Sequence, residues 1–377
     1  MMLTEAQLMV RDTAREFARQ RLAPHTREWE AAGAFPREVL EEMGQLGFMG
    51  MTVAESLGGA GLDYVSYALA LMEVAAGDGA LSTLMSVNNA PVCAILVARG
   101  TAEQQERFLR PLAAGRMIGA FALTEPQAGS DAANLHMTAR RVDGGYRLDG
   151  TKQFITSGAI AGVVITFAVT DAAAGKRGLS AFLVPADRAG LRVGRLESKL
   201  GQRASDTAQL VFDDVFVEES LRIGEEGEGY RIALANLETG RIGIAAQSVG
   251  MAAAALEHAL EYAGARTAFG RTLTEHQAVA FRLADMATDV EASRELTLHA
   301  AALKDAGEPC LKQACMAKLF ASERAEHVAS AAIQVLGGYG YVDDYLVEKI
   351  YRDVRVCQIY EGTSDIQRMV IARELAR

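Results

Sequence analysis

No run of five or more Lys or Arg residues occurs in the 377-residue chain, and its formal net charge is −10. The basic footprint of a nucleic-acid binder is therefore missing. Cysteine is scarce: Cys93, Cys310, Cys315 and Cys357 form no CxxC pair and stand apart from six scattered histidines. That pattern offers neither a zinc site nor a disulfide framework, and it predicts four small core residues and no metal. Uninterrupted apolar runs fall short of a membrane span. The start, MMLTEAQLMVRDTAREFARQ, mixes charged with apolar residues from the outset, unlike a signal or transit peptide. The expectation is a cytoplasmic protein with no membrane insertion. No segment fits GxGxxG after a strand or the GxxxxGK phosphate loop, because the glycine clusters at Gly58, Gly227 and Gly337 fail the spacing. HExxH and GxSxG are missing too, which removes the commonest metallopeptidase and serine-hydrolase signatures.

What the chain does have is apolar bulk. Half of its residues are hydrophobic, enough for a large core and for two or three domains. From Leu3 to about Gly115 apolar residues recur three and four apart, interrupted by Pro24, Pro36 and the GGAGLD loop at Gly58 to Asp63. This predicts an all-helical domain over 1–116. Trp29, the single tryptophan, sits in a charged helix end and reads as a packing residue. SVNNA, Ser86 to Ala90, interrupts the helical run with adjacent Asn88 and Asn89, either lining a pocket or ending a helix.

Near Met117 the composition changes. Short runs rich in Val, Ile, Phe and Thr follow as far as Ile223, separated by turn signals at Asp143-Gly144-Gly145, Asp149-Gly150 and Pro185. A β-domain over 117–226 is expected. After GEEGEGY, Gly224 to Tyr230, helical periodicity returns and persists through 227–377. GIAAQSVGMAAAALEHALEYAGAR is so rich in Ala and Gly that its helix can approach neighbours closely. With further runs from His276 to Lys304 and from Leu311 to Leu336, a C-terminal four-helix bundle is expected. The fold class is α+β multidomain, in the order helical, β, helical.

Four stretches carry candidate chemistry. In FALTEPQAGSDAANL, Thr124, Gly129 and Ser130 group backbone and hydroxyl donors in a turn, able to hold a ring edge or phosphate, or else forming an ordinary connection. In GTKQFITSG, Phe154 and Thr156 share one face of a strand by period two. In ARTAFGRTLTEHQA, Arg266, Phe269 and Gln277 surround a turn, and Arg266 is suited to bidentate pyrophosphate binding. The tail, IYEGTSDIQRMVIARE, puts Glu361 and Gly362 before a helix capped at Thr363 to Asp365, with apolar residues at Ile366, Met369, Val370 and Leu375. A carboxylate there, aimed and partly desolvated, suits a general base, and Gly362 lets a substrate approach the backbone. Taken alone, Glu361 reads first as a first-turn carboxylate stabilised by the helix dipole.

Taken together, these stretches resemble the acyl-CoA dehydrogenase family over the whole chain. The resemblance rests on FALTEPQAGSD (121–131), KQFITSG (152–158), LETGRIGIA (237–245), ARTAFGRTLTEHQ (265–277), QVLGGYGYV (334–342) and YEGTSDIQR (360–368), in the family's order. SVNNA, ETGRIGIA and CMAKLF (315–320) are most similar to the short-chain, butyryl-CoA type.

The resemblance implies a bound FAD. Phe121, Leu123, Thr124, Gly129 and Ser130 would line it, and Phe154, Ile155 and Thr156 would flank its ring, with the Thr156 hydroxyl near N5. Arg266, Phe269, Gln277, Gln334, Leu336, Gly337 and Gly338 would reach the FAD of a neighbouring subunit in a homotetramer. Thr363 and Asp365 would complete the site, although the family often has Gln or Glu at the latter position. Ser130, Glu238, Arg241 and Gly362 match positions that meet acyl-CoA. The family's alternative base position is occupied here by Gly240, which leaves Glu361 as the base. The implied reaction is α,β-dehydrogenation of a short-chain acyl-CoA to the trans-2-enoyl-CoA within β-oxidation, with Glu361 taking the α proton and the β hydride going to flavin N5. The Glu361 backbone N–H would be a donor to the thioester oxygen, and an electron-transfer flavoprotein would receive the electrons. A flavin oxidase or monooxygenase, or a branched- or medium-chain dehydrogenase, are the alternatives on the same scaffold.

Overall fold

Capping signals start the first helices. Thr4 and Gln7 form a capping box that opens the helix Glu5–Phe17, while Asp63 caps Tyr64–Gly77 and Asp78 caps Gly79–Val87 through their side chains. The computed structural model describes residues 1–376 and arranges them as three domains: helical, β-sheet and helical.

Tyr64–Gly77 is apolar on almost every side, and it is buried accordingly. The stretch Gly79–Arg99, 21 residues long, is helical and apolar enough by length and composition to cross a bilayer, which corrects the reading that no such run exists. Most of it is packed inside the protein, and it is kinked at Ala90. The kink explains SVNNA. Asn88 donates to the carbonyls of Met49 and Leu112 and accepts from the Gly119 amide, while Asn89 donates to Phe48 and Met85 and accepts from Met51. These buried amides satisfy the backbone of three converging segments, so Asn88 and Asn89 form a structural joint. Trp29 is buried between His25 and Phe35.

The middle domain is one eight-stranded sheet. Its strands are β1 (Gly119–Ala122), β2 (Thr138–Val142), β3 (Gly145–Thr156), β4 (Val163–Val169), β5 (Leu179–Pro185), β6 (Leu191–Leu196), β7 (Thr207–Glu218) and β8 (Arg222–Ile223), in the order β6-β7-β3-β2-β4-β5-β8, with β1 also on β4. Pairing is antiparallel except for β1–β4 and β2–β4. Between Lys152 and Ile155 the β3–β7 register shifts, and Phe154 there takes φ 58°. A bulge of this kind re-aims a side chain.

The last domain is built on the 37-residue helix Gly229–Ala265, which starts well before the Ala-rich segment. Gln277–Asp305, Leu311–Leu336 and the 12-residue final helix Ser364–Leu375 complete the bundle. Ile242, Ala245, Ala246 and Val249 of the long helix share one core with the N-terminal helices, so the first and last domains are fused through it. The final helix forms where the apolar spacing put it, with Met369 and Leu375 66% and 67% exposed and polar Gln367 buried. Gln367 is held inward because its side-chain amide serves the turn before the helix.

Candidate active site

Glu361 and Gly362 form a tight turn with φ 51° and 91°. Left-handed backbone at a non-glycine residue costs of the order of 1–3 kcal/mol and persists only when its surroundings over-determine it. Here they do. The Gly362 carbonyl accepts from Lys318 Nζ at 2.7 Å and from Gln367 Nε2 at 2.9 Å, and Thr363 caps the helix beyond by accepting from the Ile366 amide. Among the described residues the Glu361 backbone N–H has no hydrogen-bond partner, leaving a donor free beside the carboxylate.

The Glu361 side chain points at the long helix. A Cβ placed on Gly240 would lie 1.8 Å from Glu361 Oε2, so the gap left by that glycine is the carboxylate's berth. Oε2 is out of contact with solvent and, among the described residues, without a hydrogen-bond partner. Desolvation raises its pKa to about 7, against the opposing pull of the Arg241 and Lys318 charges. A carboxyl group in this state exchanges a proton near neutral pH, as a general base must. One helical turn further on, Gly243 faces the buried Ser86 and Tyr67 hydroxyls, which a Cβ would meet at 2.6 and 2.9 Å. The space beside Glu361 is thus walled by two hydroxyl-bearing side chains from the first domain.

The positions that the resemblance assigns to acyl-CoA are distributed unequally. Arg241 is buried next to Glu361, with its Nε unpartnered among the described residues. Glu238 is engaged with Lys304 and Cys310, both at 3.2 Å. Ser130 lies exposed on its loop. Sequence reasoning missed Lys318 and Gln367, although both lie in quoted motifs.

It also missed the pair that organises the β-domain side. Glu125 and Lys152 are buried 2.9 Å apart, and Glu125 further accepts from Gln127 and from the amides of His136 and Met137. Lys152 also donates to the Leu123 carbonyl, and the Gln153 amide to that of Thr124. Together these bonds hold Phe121, Leu123, Thr124, Gly129 and Ser130 against the bulged end of β3. Phe154 stands 63% exposed there and Thr156 half-buried, while the Ile155 side chain faces the core, leaving only its backbone for a ligand. Gly129 opens onto free space. An exposed aromatic ring, a glycine with room above it and a hydroxyl at one edge fit a planar flavin ring.

Arg266, Leu336 and Gly338 come together around a different cavity, of about 660 Å³, also lined by Tyr262, Val335 and Tyr339. Gln277 and Gln334 are exposed, a Cβ on Gly337 would enter open space, and Phe269 at φ 51° is 98% exposed. This group is remote from Glu361. Twenty-six helical residues, at 1.5 Å each, separate Gly240 from Arg266, about 39 Å. Thr363 and Asp365 sit beside Glu361, but Asp365 points to solvent and pairs with Arg368 at 3.5 Å. All four cysteines are free and buried, and among the described residues no cluster of three metal-ligating side chains exists.

With this geometry in hand, comparison with known proteins is specific. Residues 4–116, 120–215 and 227–376 match the acyl-CoA dehydrogenase N-terminal, middle and C-terminal domain families in turn. The chain is 46% identical to the mitochondrial short-chain specific acyl-CoA dehydrogenase of Bos taurus, covering 100% of this chain and 91% of that protein. The structure of butyryl-CoA dehydrogenase from Megasphaera elsdenii superposes with TM-score 0.97 at 40% identity, covering 100% of both chains. A glutaryl-CoA dehydrogenase from Mycobacterium smegmatis in complex with FADH2 superposes with TM-score 0.94 at 33% identity, covering 99% of this chain and 95% of that one. The chain belongs to the acyl-CoA dehydrogenase family and is an oxidoreductase of that class.

Proposed function

We propose that the protein binds FAD and dehydrogenates a short-chain acyl-CoA thioester to its trans-2-enoyl product, with Glu361 as the base. The observation that carries this reading is the Glu361 carboxylate in the Gly240 gap, desolvated so that its pKa rises to about 7. Bound FAD supplies the acceptor for the β hydride. Glu361 takes the α proton, which a carboxylate can do only if negative charge on the thioester oxygen is stabilised as it develops. The unpartnered Glu361 N–H is placed to donate there, and one such donor is typically worth about 10²–10³ in rate. Arg241 and Lys318 keep positive charge close to the base, so its ionised form remains accessible near neutrality.

Phe154 and Thr156 would hold the flavin ring, with the Glu125–Lys152 pair fixing the loop that carries Phe121 to Ser130. Arg266, Phe269, Gln277 and the Gln334 to Gly338 segment would serve a neighbouring subunit's FAD in a homotetramer, because about 39 Å of helix separates Arg266 from Gly240. The exposed Phe269, Met369 and Leu375 give a second copy something to cover. An electron-transfer flavoprotein would take the electrons onward.

The short-chain assignment draws on the relatives named above and on the Tyr67 and Ser86 hydroxyls closing in on Gly243. Each buried CH₂ is worth about 0.8 kcal/mol, whereas forcing an extra one into a filled pocket costs about 1–3 kcal/mol. Anaerobic bleaching of the yellow protein by butyryl-, hexanoyl-, octanoyl- and palmitoyl-CoA tests the reading. Bleaching by all but the longest, with kcat/KM highest at four to six carbons, is expected. A maximum at octanoyl- or palmitoyl-CoA overturns the chain length, and a colourless protein that binds no FAD overturns the function.

A further inference from the structure

Three lysines are buried among the described residues, and two have obvious partners. Lys152 lies 2.9 Å from Glu125, and Lys349 lies 2.6 Å from Asp353. Lys318, in the first third of Leu311–Leu336, is 0% exposed, yet among the described residues no carboxylate lies within ion-pair distance of it. Its hydrogen bond goes to a backbone carbonyl, that of Gly362, at 2.7 Å. A buried ammonium is expensive unless its charge is used. The nearest carboxylate to feel that charge belongs to Glu361, the residue preceding the carbonyl it grips.

We propose that Lys318 is a positioning residue for the reaction: its ammonium locks the Glu361–Gly362 turn and supplies positive charge that favours the ionised Glu361 carboxylate. The two roles share one atom. The hydrogen bond from Nζ, joined by that from Gln367, stabilises a turn whose backbone is strained at Glu361. Removing it lets the turn relax toward ordinary backbone, which swings the carboxylate out of the Gly240 gap. The charge acts with that of Arg241 on the long helix. The other titratable groups facing this cluster are Tyr67 from the first domain, Cys315 one turn before Lys318, and Cys357 before the turn. None of these three is cationic, so Lys318 and Arg241 supply the positive charge between them. Burial also pushes Lys318 itself down to about 8, so its charge is present throughout the neutral range in which Glu361 titrates.

This inference rests on Glu361 being the base, and the test separates the two. The flavin-loaded protein is compared with Lys318→Met, which removes charge and donor, and with Lys318→Gln, which keeps a donor without charge. The readouts are the infrared band of the protonated carboxyl that Glu361→Gln abolishes, followed against pH, and the pH profile of anaerobic flavin reduction by butyryl-CoA. In both variants the band midpoint is expected about one pH unit higher than in the native protein, with reduction at pH 7 about fivefold slower in Lys318→Gln and slower still in Lys318→Met. The limiting rate at high pH is expected to recover in Lys318→Gln and to stay low in Lys318→Met. An unshifted band in either soluble variant overturns the charge role. A native limiting rate in Lys318→Met, or a limiting rate in Lys318→Gln that does not recover, overturns the positioning role. Should Lys318→Met fail to fold, Lys318→Gln decides both by the same criteria. Native flavin reduction by Glu361→Gln would instead overturn the base assignment itself.

Discussion

Replacing Gly240 by alanine adds one carbon at the place where Glu361 Oε2 now sits. The new Cβ would stand 1.8 Å from that oxygen, whereas ordinary contact begins at 3.4 Å, so the carboxylate must retreat by about 1.6 Å. Glu361 is fixed by a turn pinned at Gly362 and by a helix cap at Thr363, so the retreat falls on side-chain torsions and carries the carboxylate off its line to the substrate. A misplacement of about 1 Å in an active site costs about 10²-fold in rate. The long helix should not suffer, because alanine at a helix-interior glycine gains up to about 1 kcal/mol of propensity. Gly240→Ala is therefore expected to fold, to hold flavin as the native protein does and to melt no lower. Its anaerobic flavin reduction by butyryl-CoA, measured by stopped flow, should be slower by at least about 10²-fold. Reduction within about threefold of native would refute the claim that Gly240 exists to seat the carboxylate.

Further expectations follow from the charges. With Glu361 near 7 in the free protein and active only when ionised, kcat/KM should climb about tenfold per pH unit below pH 7 and level off above it; a profile flat from pH 5.5 to 8 would contradict the assignment. Lys152→Met strands Glu125 as an unpaired buried carboxylate and should cost about 3–5 kcal/mol in denaturant unfolding, with much of the loss recovered by adding Glu125→Gln. No recovery would mean that the pair is not the source of the loss. Arg266→Ala should loosen flavin, seen as faster loss of yellow colour on gel filtration, while leaving the Glu361 site intact; full retention would count against Arg266 as a pyrophosphate contact.

Much of this was readable in the residues, for definite physical reasons. Domain order came from the change of period, since apolar spacing of three and four gives way near Met117 to β-branched runs and returns after Gly224. Glu361 was singled out because a carboxylate, a glycine and a hydroxyl cap are contiguous, but its reading as a base came from the family resemblance and not from those residues alone. Gly240 was readable only as something that cannot be a base; that its missing Cβ makes room for Glu361 is a contact across more than a hundred residues. Lys318 and Gln367 were opaque for a related reason. Their partners are the backbone carbonyls of Glu361 and Gly362, and a carbonyl leaves no mark in a sequence. Glu125 and Lys152 were passed over although both stand in quoted motifs, because a pair 27 apart in sequence shows no local periodicity. Asn88 and Asn89 stayed ambiguous in the sequence because adjacent amides suit a pocket wall as well as a helix end, and the backbone groups that they bond to come from distant segments. The final helix was readable from its apolar spacing, but not that Gln367 would be anchored inward with Met369 and Leu375 on the outer face.

The central claim is that the proton leaves to Glu361, and Glu361→Gln tests it with the least disturbance, since the amide preserves shape and removes basicity. The measurement is anaerobic flavin absorbance on mixing with butyryl-CoA. The variant should remain yellow and bind the thioester, while bleaching slows by at least about 10²-fold. Bleaching at a near-native rate would contradict the account.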